Sequence, residues 1–377
     1  MEYGITEWSV IFITTAFGIL IIIFGLQTII KKRTAWSLLI SMIFGLLAGI
    51  ISIINELFFK NIQIIWYFFQ SLHLNLYGFH FFFFFIFFER LVSKNLNSLR
   101  LSLMTSLLLI QTIGLWLVYY YRLYSMSTDI AWVLADFGYW TPALFVYLGL
   151  GVPIYFKMYL YTKEIKPLAL MVALIFVSIG FFISFLNDLY FIFSVFNISI
   201  NKPEIISTLE DISNIFPSIG IIIFVIIYIT NIDYLYRLPY DVHLLMVLER
   251  GGGTPLYTVK LKTRNKIEIE DVLLSGLFSA INTIFQQVLQ SKKIINVISS
   301  KEMSILIKGG KSIVTLVITS KNTYFLDKAL ARFVKIFEKE FEKELKEGER
   351  DLTIYERAHE IISIAFPFFI LEKNNQS

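Results

Sequence analysis

Two glycine-rich stretches in this 377-residue chain carry residue types that can cradle a phosphate. One is Leu248-Glu-Arg-Gly-Gly-Gly-Thr-Pro-Leu-Tyr257, and the other is Gly309-Gly310-Lys311-Ser312. The second matches the end of the phosphate-loop pattern G-x-x-x-x-G-K-[ST], but Ile305 stands where its first glycine belongs. A phosphate loop must also lead into a helix whose N-terminus faces the anion. Here each glycine run leads into a segment with strand character, "PLYTVKLK" (255–262) and "SIVTLVITS" (312–320). Hairpin turns fit both better than phosphate cradles. Arg250, shortly after the last apolar run, remains a candidate to touch lipid headgroups.

A second set of chemistry-bearing residues lies inside long apolar runs, where ionisable groups are costly and mark candidate sites. Glu56 follows Asn55; Gln70, His73, Asn75 and His80 share one run; Asn187-Asp188 sits in another; Glu210-Asp211 opens the last. From these, Glu56, Gln70, His73, Asn187, Asp188 and Asp211 form the candidate ligand-binding set. His73 and His80, seven apart, fall on one helix face. Two histidines without an acid on that face make a poor metal site. The competing reading is that all these groups hydrogen-bond to one another and hold a helix bundle together. No HExxH and no Gly-x-Ser-x-Gly occurs, and the last apolar run has no Lys for a retinal Schiff base. The expectation is a protein with no catalytic residues, no cofactor, no metal and no nucleic-acid partner.

The elements that must position these groups are membrane spans. The chain is 56% hydrophobic and only 16% charged, with 37 Phe, 20 Tyr and no Cys. That is too apolar for an ordinary soluble domain, and it rules out disulfides. A hydrocarbon core of about 30 Å takes roughly 20 apolar residues per helix. Seven runs qualify: 8–30, 35–58, 64–88, 101–123, 137–160, 168–196 and 212–232. The run Phe81–Phe85 is expected to be lipid-facing and helix-packing bulk. The opening "MEYGITEW" has no basic region and does not resemble a cleaved signal peptide.

Lys and Arg in the short loops set the orientation. With the N-terminus outside, the inner loops carry Lys31, Lys32, Arg33, Arg90, Lys94, Arg100, Lys157, Lys163 and Lys166. The outer loops carry only Lys60, Arg122 and Lys202. The N-terminus is therefore expected outside the cell membrane and the C-terminal part in the cytoplasm. Glu2, Glu7, Glu56, Asp129, Asp136, Asp188, Glu204, Glu210 and Asp211 all fall on or near the outer face. A net acidic face favours a small cationic ligand.

Charge density rises after the last run: residues 1–230 hold 12 Lys+Arg and 11 Asp+Glu, and residues 231–377 hold 21 and 18. The domain division expected is 1–235 for the bundle and 236–377 for a soluble domain. In the latter the period changes from span to strand. "VHLLMVLE" (242–249) and "PLYTVKLK" make a hairpin, and "IEIEDVLLSGLFSAINTIFQQVLQ" (267–290) is an amphipathic helix. "IINVISS" (294–300), "MSILIKG" (303–309) and "SIVTLVITS" are three more strands. A helix over 323–346, a shorter one near 352–364 and the apolar "AFPFFI" (365–370) follow, the last left open between the domain and the membrane. The order β-β-α-β-β-β-α-α predicts an α+β fold with a five-stranded antiparallel sheet.

This order resembles that of a longin domain, within the profilin-like and roadblock-like group, over about residues 241–370. "LLSGLFSAINTIF" stands at the first-helix position and "YFLDKALARFVKIFEKEF" after the fifth strand. The resemblance implies a non-catalytic module that binds a small GTPase or its regulator and that pairs with a second copy. The seven-span part is similar to seven-span receptors and to the input modules of bacterial and archaeal sensor kinases, though no kinase motif follows. The reading is a multi-pass sensor or scaffold, with Pro239 stiffening the junction "DYLYRLPYD" (233–241). A transporter or channel with a regulatory or oligomerising domain is the rival, and a passive anchor is the third reading. Pro142, Pro153 and Pro217 are the features that favour transport.

Overall fold

The computed structural model describes residues 5–31, 35–198, 200, 202–213, 215–230, 240–250, 254–261, 275–276, 280, 295–300, 302–348, 351–366 and 369. The chain divides into two compact units. One holds Met1–Glu89, Leu96–Tyr159 and Glu164–Ile232; the other holds Asp233–Ser377 with the short segments Arg90–Asn95 and Leu160–Lys163.

The first unit is all-helical among the described residues. Its helices are α1 (Ile5–Lys31), α2 (Trp36–Ile54), α3 (Gln63–Val92), α4 (Ser98–Leu123), α5 (Asp129–Leu144), α6 (Val152–Thr162), α7 (Ile165–Val195), α8 (Glu204–Ile212) and α9 (Ile215–Thr230). Two wide π turns extend them, Asn55–Phe59 after α2 and Phe145–Gly151 between α5 and α6. Five helical stretches are long and apolar enough to cross a membrane: Trp36–Phe59, Gln63–Val92, Ser98–Leu123, Asp129–Thr162 and Ile165–Val195. Val10–Leu26 and Ile215–Thr230 are shorter apolar stretches.

α3 is the axis of the unit. Its rings and polar groups meet α1 at Phe17, α2 at Ser41 and Phe44, α4 at Leu115 and Trp116, α5 at Tyr139 and α7 at Phe181. The phenylalanine run divides between the two parts of the expectation: Phe81, Phe84 and Phe85 are buried against neighbouring helices, and Phe82 and Phe83 are half-buried. Phe87 and Phe88, just beyond the run, are buried too.

The fifth span also differs from expectation. Its helix begins at Asp129, not near 137, so Asp136 lies two turns inside it. Pro142 removes one backbone donor within α5, and the wide turn Phe145–Gly151 follows. The expected run 212–232 is instead α9 alone, with Glu210 and Asp211 at the end of the separate α8.

Small residues let α4 and α5 approach to backbone contact. A side chain at Gly114 would meet the Ala135 nitrogen at 2.6 Å, and one at Gly138 would meet the Gln111 nitrogen at 2.5 Å. Dispersion and close packing, not hydrophobicity, hold helices together in lipid, so this contact carries weight.

In the second unit, β1 (Val242–Glu249), β2 (Pro255–Lys260), β3 (Val297–Ser299), β4 (Ser304–Gly309) and β5 (Ile313–Thr319) form one antiparallel sheet in the order β2-β1-β5-β4-β3. The central strands β1 and β5 are buried on both faces. Leu244, Met246, Leu248, Ile307, Val314, Leu316 and Ile318 make one apolar face. Of the helix read over 267–290 only 275–276 and 280 are described, and they are helical; the glycines 251–253 and the junction 231–239 lie outside the described residues.

The helix expected over 323–346 is broken at Phe341, whose backbone leaves the helical region, giving α10 (Tyr324–Glu340) and α11 (Glu342–Glu347). Thr323 caps α10, its Oγ1 accepting from the Leu326 N–H. Gly348, at φ +66°, ends α11 in the left-handed conformation. A 3₁₀ turn (Leu352–Arg357) leads into α12 (Ala358–Ala365). The start of the apolar tail belongs to this domain: Phe366 is buried and stacks on Phe369 at 4.4 Å and against Phe333 at 5.6 Å.

Two outcomes are expected. Gly138→Leu forces α4 from α5 and lowers the thermal midpoint of the purified protein, overpacking of this kind costing about 1–3 kcal/mol. Gly25→Leu, with nothing within 4 Å of the added Cβ, leaves the midpoint unchanged. In the sheet, burial, with a smaller push from Glu356, raises the Tyr257 hydroxyl from 10.0 to about 12. A raised acid favours the folded state fully below its unfolded value and loses that contribution as pH climbs toward about 12. The alkaline fall in denaturation midpoint is therefore shallower in Tyr257→Phe.

Candidate functional site

Three of the cavities among the described residues concern the polar groups of the helical unit. The first, about 210 Å³, lies among α1, α2, α3, α5, α7 and α9 and is walled mainly by Phe17, Phe81, Phe84, Phe181, Phe224 and Leu20. Its polar lining is Ser41, Ser52, His73, Tyr77, His80, Tyr139, Tyr147 and Tyr228. The second, about 350 Å³, holds Gln70, Gln111, Trp132, Asp136, Tyr139, Trp140 and Asp188. The third, about 330 Å³, holds Glu56, Lys60, Trp66, Gln70 and His73. Shared walls link them: His73 lines the first and third, Gln70 the second and third, and Tyr139 the first and second.

Each polar group reaches these cavities through its helix. Asn55, buried at the end of α2, donates to the Trp66 carbonyl at 3.2 Å and ties α2 to the start of α3. Glu56 stands beside it at the rim and pairs with Lys60 at 3.3 Å, four residues on. An exposed pair of this kind contributes little, so the carboxylate is held only loosely. His73 is buried, and its Nδ1 donates to the Phe69 carbonyl at 3.3 Å. That bond fixes the ring and directs Nε2 as the free acceptor.

His80 is bound more fully. Its Nδ1 donates to the Ser41 carbonyl at 2.9 Å, while the Ser41 hydroxyl donates to the His80 carbonyl at 2.9 Å. Its Nε2 then accepts from the Tyr147 hydroxyl at 2.7 Å. Both ring nitrogens are used, which leaves no lone pair for a metal. Among the described residues no three His, Cys, Asp or Glu are grouped to hold a metal ion. Phe17 packs edge-on against the His80 ring at 5.3 Å, and Phe84 stacks over it at 5.8 Å.

Tyr147 reaches His80 from the wide turn between α5 and α6, and that turn gives the site its geometry. Asp188, on α7, accepts from the Trp140 indole N–H at 2.6 Å. Gln111, on α4, is fully buried; its Nε2 donates to the Leu74 carbonyl at 2.7 Å and its Oε1 has no partner.

The structure thus gathers four of the six candidates from the sequence, Glu56, Gln70, His73 and Asp188, into adjoining cavities. Asn187 is elsewhere, accepting from the Lys202 ammonium. Asp211 belongs to α8, and its side chain lies outside the described set. Asp136, Trp140, Gln111 and Tyr147 are site residues that the sequence reading did not single out. For Asp136 a signal existed: the apolar periodicity of "AWVLADFGYW" (131–140) places it within a helix rather than in a loop.

The Walker-like turn has been filled by the protein itself. The Ser312 N–H donates to the Glu338 carboxylate at 2.7 Å, where a phosphate loop would present that donor to an anion. Arg250 Nη1 donates to the Gly310 carbonyl at 2.6 Å, and the Arg250 N–H to the Ser312 carbonyl at 3.0 Å. Arg250 is therefore a strut for the β4–β5 turn. The Glu249 N–H donates to the Thr254 carbonyl at 2.9 Å and closes the first hairpin.

Tyr147→Phe leaves His80 Nε2 buried without a donor. The expected loss is about 1–3 kcal/mol, read as a lower thermal midpoint, while Tyr161→Phe, more exposed, serves as the neutral control.

Comparison of the chain with protein-family models, curated proteins and solved structures finds no match.

Proposed function

We propose that this protein is a seven-span membrane sensor that couples a ligand met in the outer half of the bundle to a cytoplasmic longin-like interaction domain. The observation that carries the reading is the division of α3 into a polar half and an aromatic half. Gln70, His73 and His80 line cavities, Phe81 and Phe84 wall the first of them, and beyond them Phe85, Phe87 and Phe88 are buried and line none of the three. A polar pocket that ends on an aromatic block suits binding. A transporter needs a polar path through both halves. The wide turn at 145–151 is the feature that favours transport, but its Tyr147 is tied to His80 above the same aromatic block.

In this reading α1 and α9 join the five long helices as spans, the N-terminus lies outside, and the C-terminal unit is cytoplasmic. The loop charges support that orientation. The antiparallel sheet and the helix after its fifth strand agree with the element order on which the longin resemblance rests. Its partner in this reading is a small GTPase or a regulator of one, and no chemistry is performed on the ligand.

The chain has no native cysteine, so single cysteines report topology directly. Lys202→Cys in intact cells is expected to react with a membrane-impermeant maleimide, and Lys343→Cys only after permeabilisation. The reverse pattern would overturn the orientation. A pull-down with the full chain in detergent against GTP- and GDP-loaded small GTPases is expected to retain one of them in a nucleotide-dependent way. Retention of none removes the GTPase part of the reading.

A further inference from the structure

We infer that the cavity among α1, α2, α3, α5, α7 and α9 is a binding site for a small uncharged aromatic molecule with one hydroxyl or N–H group, received by Tyr77, Tyr139 and His73. The inference rests on the sensor reading and names the ligand class of its pocket. No Asp, Glu, Lys or Arg lines this cavity among the described residues. A bound ion would lose its water with no opposite charge to replace it, a cost that an apolar wall does not offset. The cation that the acidic outer face favours has no counter-charge here, and a neutral molecule needs none.

Size and lining narrow the class further. A cavity of about 150 Å³ lined by Leu, Ile and Phe holds benzene, and this one is about 210 Å³. The space suits one substituted ring or a fused pair such as indole, and it is too small for a sterol or a whole acyl chain. Phe17, Phe81, Phe84, Phe181 and Phe224 wall it. Some of its rings already meet edge to face, Phe81 with Tyr139 at 5.3 Å and with Phe181 at 5.7 Å. A guest ring extends that pattern, since aromatic pairs gain from such contacts beyond the area they bury.

Hydrogen bonding supplies the polar end. Ser41, His80 and Tyr147 bond to one another, and that set is closed. Tyr77, Tyr139 and His73 line the same cavity, and neither the two hydroxyls nor the His73 Nε2 has a hydrogen-bond partner among the described residues. None of these three atoms is sealed off by the packing, and both tyrosines are only half-buried. Enclosed polar groups cost stability until something bonds to them. With its Nδ1 donating to the Phe69 carbonyl, His73 can only accept at Nε2, whereas each hydroxyl donates or accepts. The complementary guest is therefore a donor. A phenol or an indole satisfies the imidazole, and a phenol also accepts from a tyrosine.

The test uses the full chain in nanodiscs, with titration calorimetry read against empty nanodiscs to subtract partition into lipid. The probes are 4-ethylphenol, indole, ethylbenzene, which lacks the hydroxyl, and tyramine, which adds an ammonium. The expected result is saturable binding of 4-ethylphenol or indole, with ethylbenzene and tyramine each at least about threefold weaker. Tyr77→Phe keeps the ring, removes the hydroxyl and is expected to weaken the bound probe about three- to tenfold. The comparison of probes on the native chain stands even if the variant fails to fold. Saturable binding of neither 4-ethylphenol nor indole, equal binding of ethylbenzene, equal or tighter binding of tyramine, or full affinity in Tyr77→Phe overturns the inference. Hydrogen exchange of β1, β4 and β5 separates it from the sensor reading. Probe binding with no change there keeps the site and sinks the coupling. Absence of probe binding sinks the ligand class alone.

Discussion

A helix enclosed by other helices has no face to give to lipid or water, and everything polar on it must be answered from within. That is the situation along the buried face of α3, and the neighbouring helices meet much of it. Ser41 and Tyr147 answer His80, Leu115 answers Ser71, and the Phe69 carbonyl answers His73. In hydrocarbon such bonds have no solvent to replace them, so those to Ser41, Tyr147 and Leu115 fix how the neighbouring elements are turned toward α3, while that to Phe69 fixes the His73 ring within α3. Where α3 carries no polar group, ring packing takes over. Phe84 touches His80, Tyr147, Phe87 and Phe88, giving edge-to-face and stacked contacts in place of hydrogen bonds.

The same constraint separates the unit into regions with different capacities. Hydrogen-bonded groups spaced along a helix leave gaps between their partners, and those gaps are the cavities. Interlocked rings leave few. Cavities and a packed aromatic block are thus produced along one helix through a change of side-chain type near residue 80, without a change in backbone.

Much of this organisation can be read from the residues, and the exceptions have physical causes. The five strands were legible because alternation and glycine turns are local signals, and β1 and β5 read as continuous apolar runs since both their faces are covered. Glu56, Gln70, His73 and Asp188 stood out because a polar group in an apolar run is expensive. Asp136 did not, since a carboxylate two turns inside a helix looks the same as one in the loop before it. The roles of Arg250 and Glu338 were hidden for another reason. Each acts on a turn some 60 and 26 residues away, at Gly310 and Ser312, and no local pattern records such a contact. The phenylalanine run was ambiguous in principle, because lipid and a protein interior ask for the same residues.

The wide turn between α5 and α6 has a geometric effect beyond placing one tyrosine. An α-helix advances about 100° per residue, so a turn that holds one residue too many sets everything after it out of phase by about that angle. The stretch from Asp129 to Thr162 is therefore two helices laid end to end with a fixed twist between them. The half with Asp136 and Trp140 faces one set of neighbours, and the half with Tyr155, buried beside Phe88, faces another. A single continuous element thereby speaks to two different surroundings, and the surplus residue is what keeps the two conversations from sharing a face.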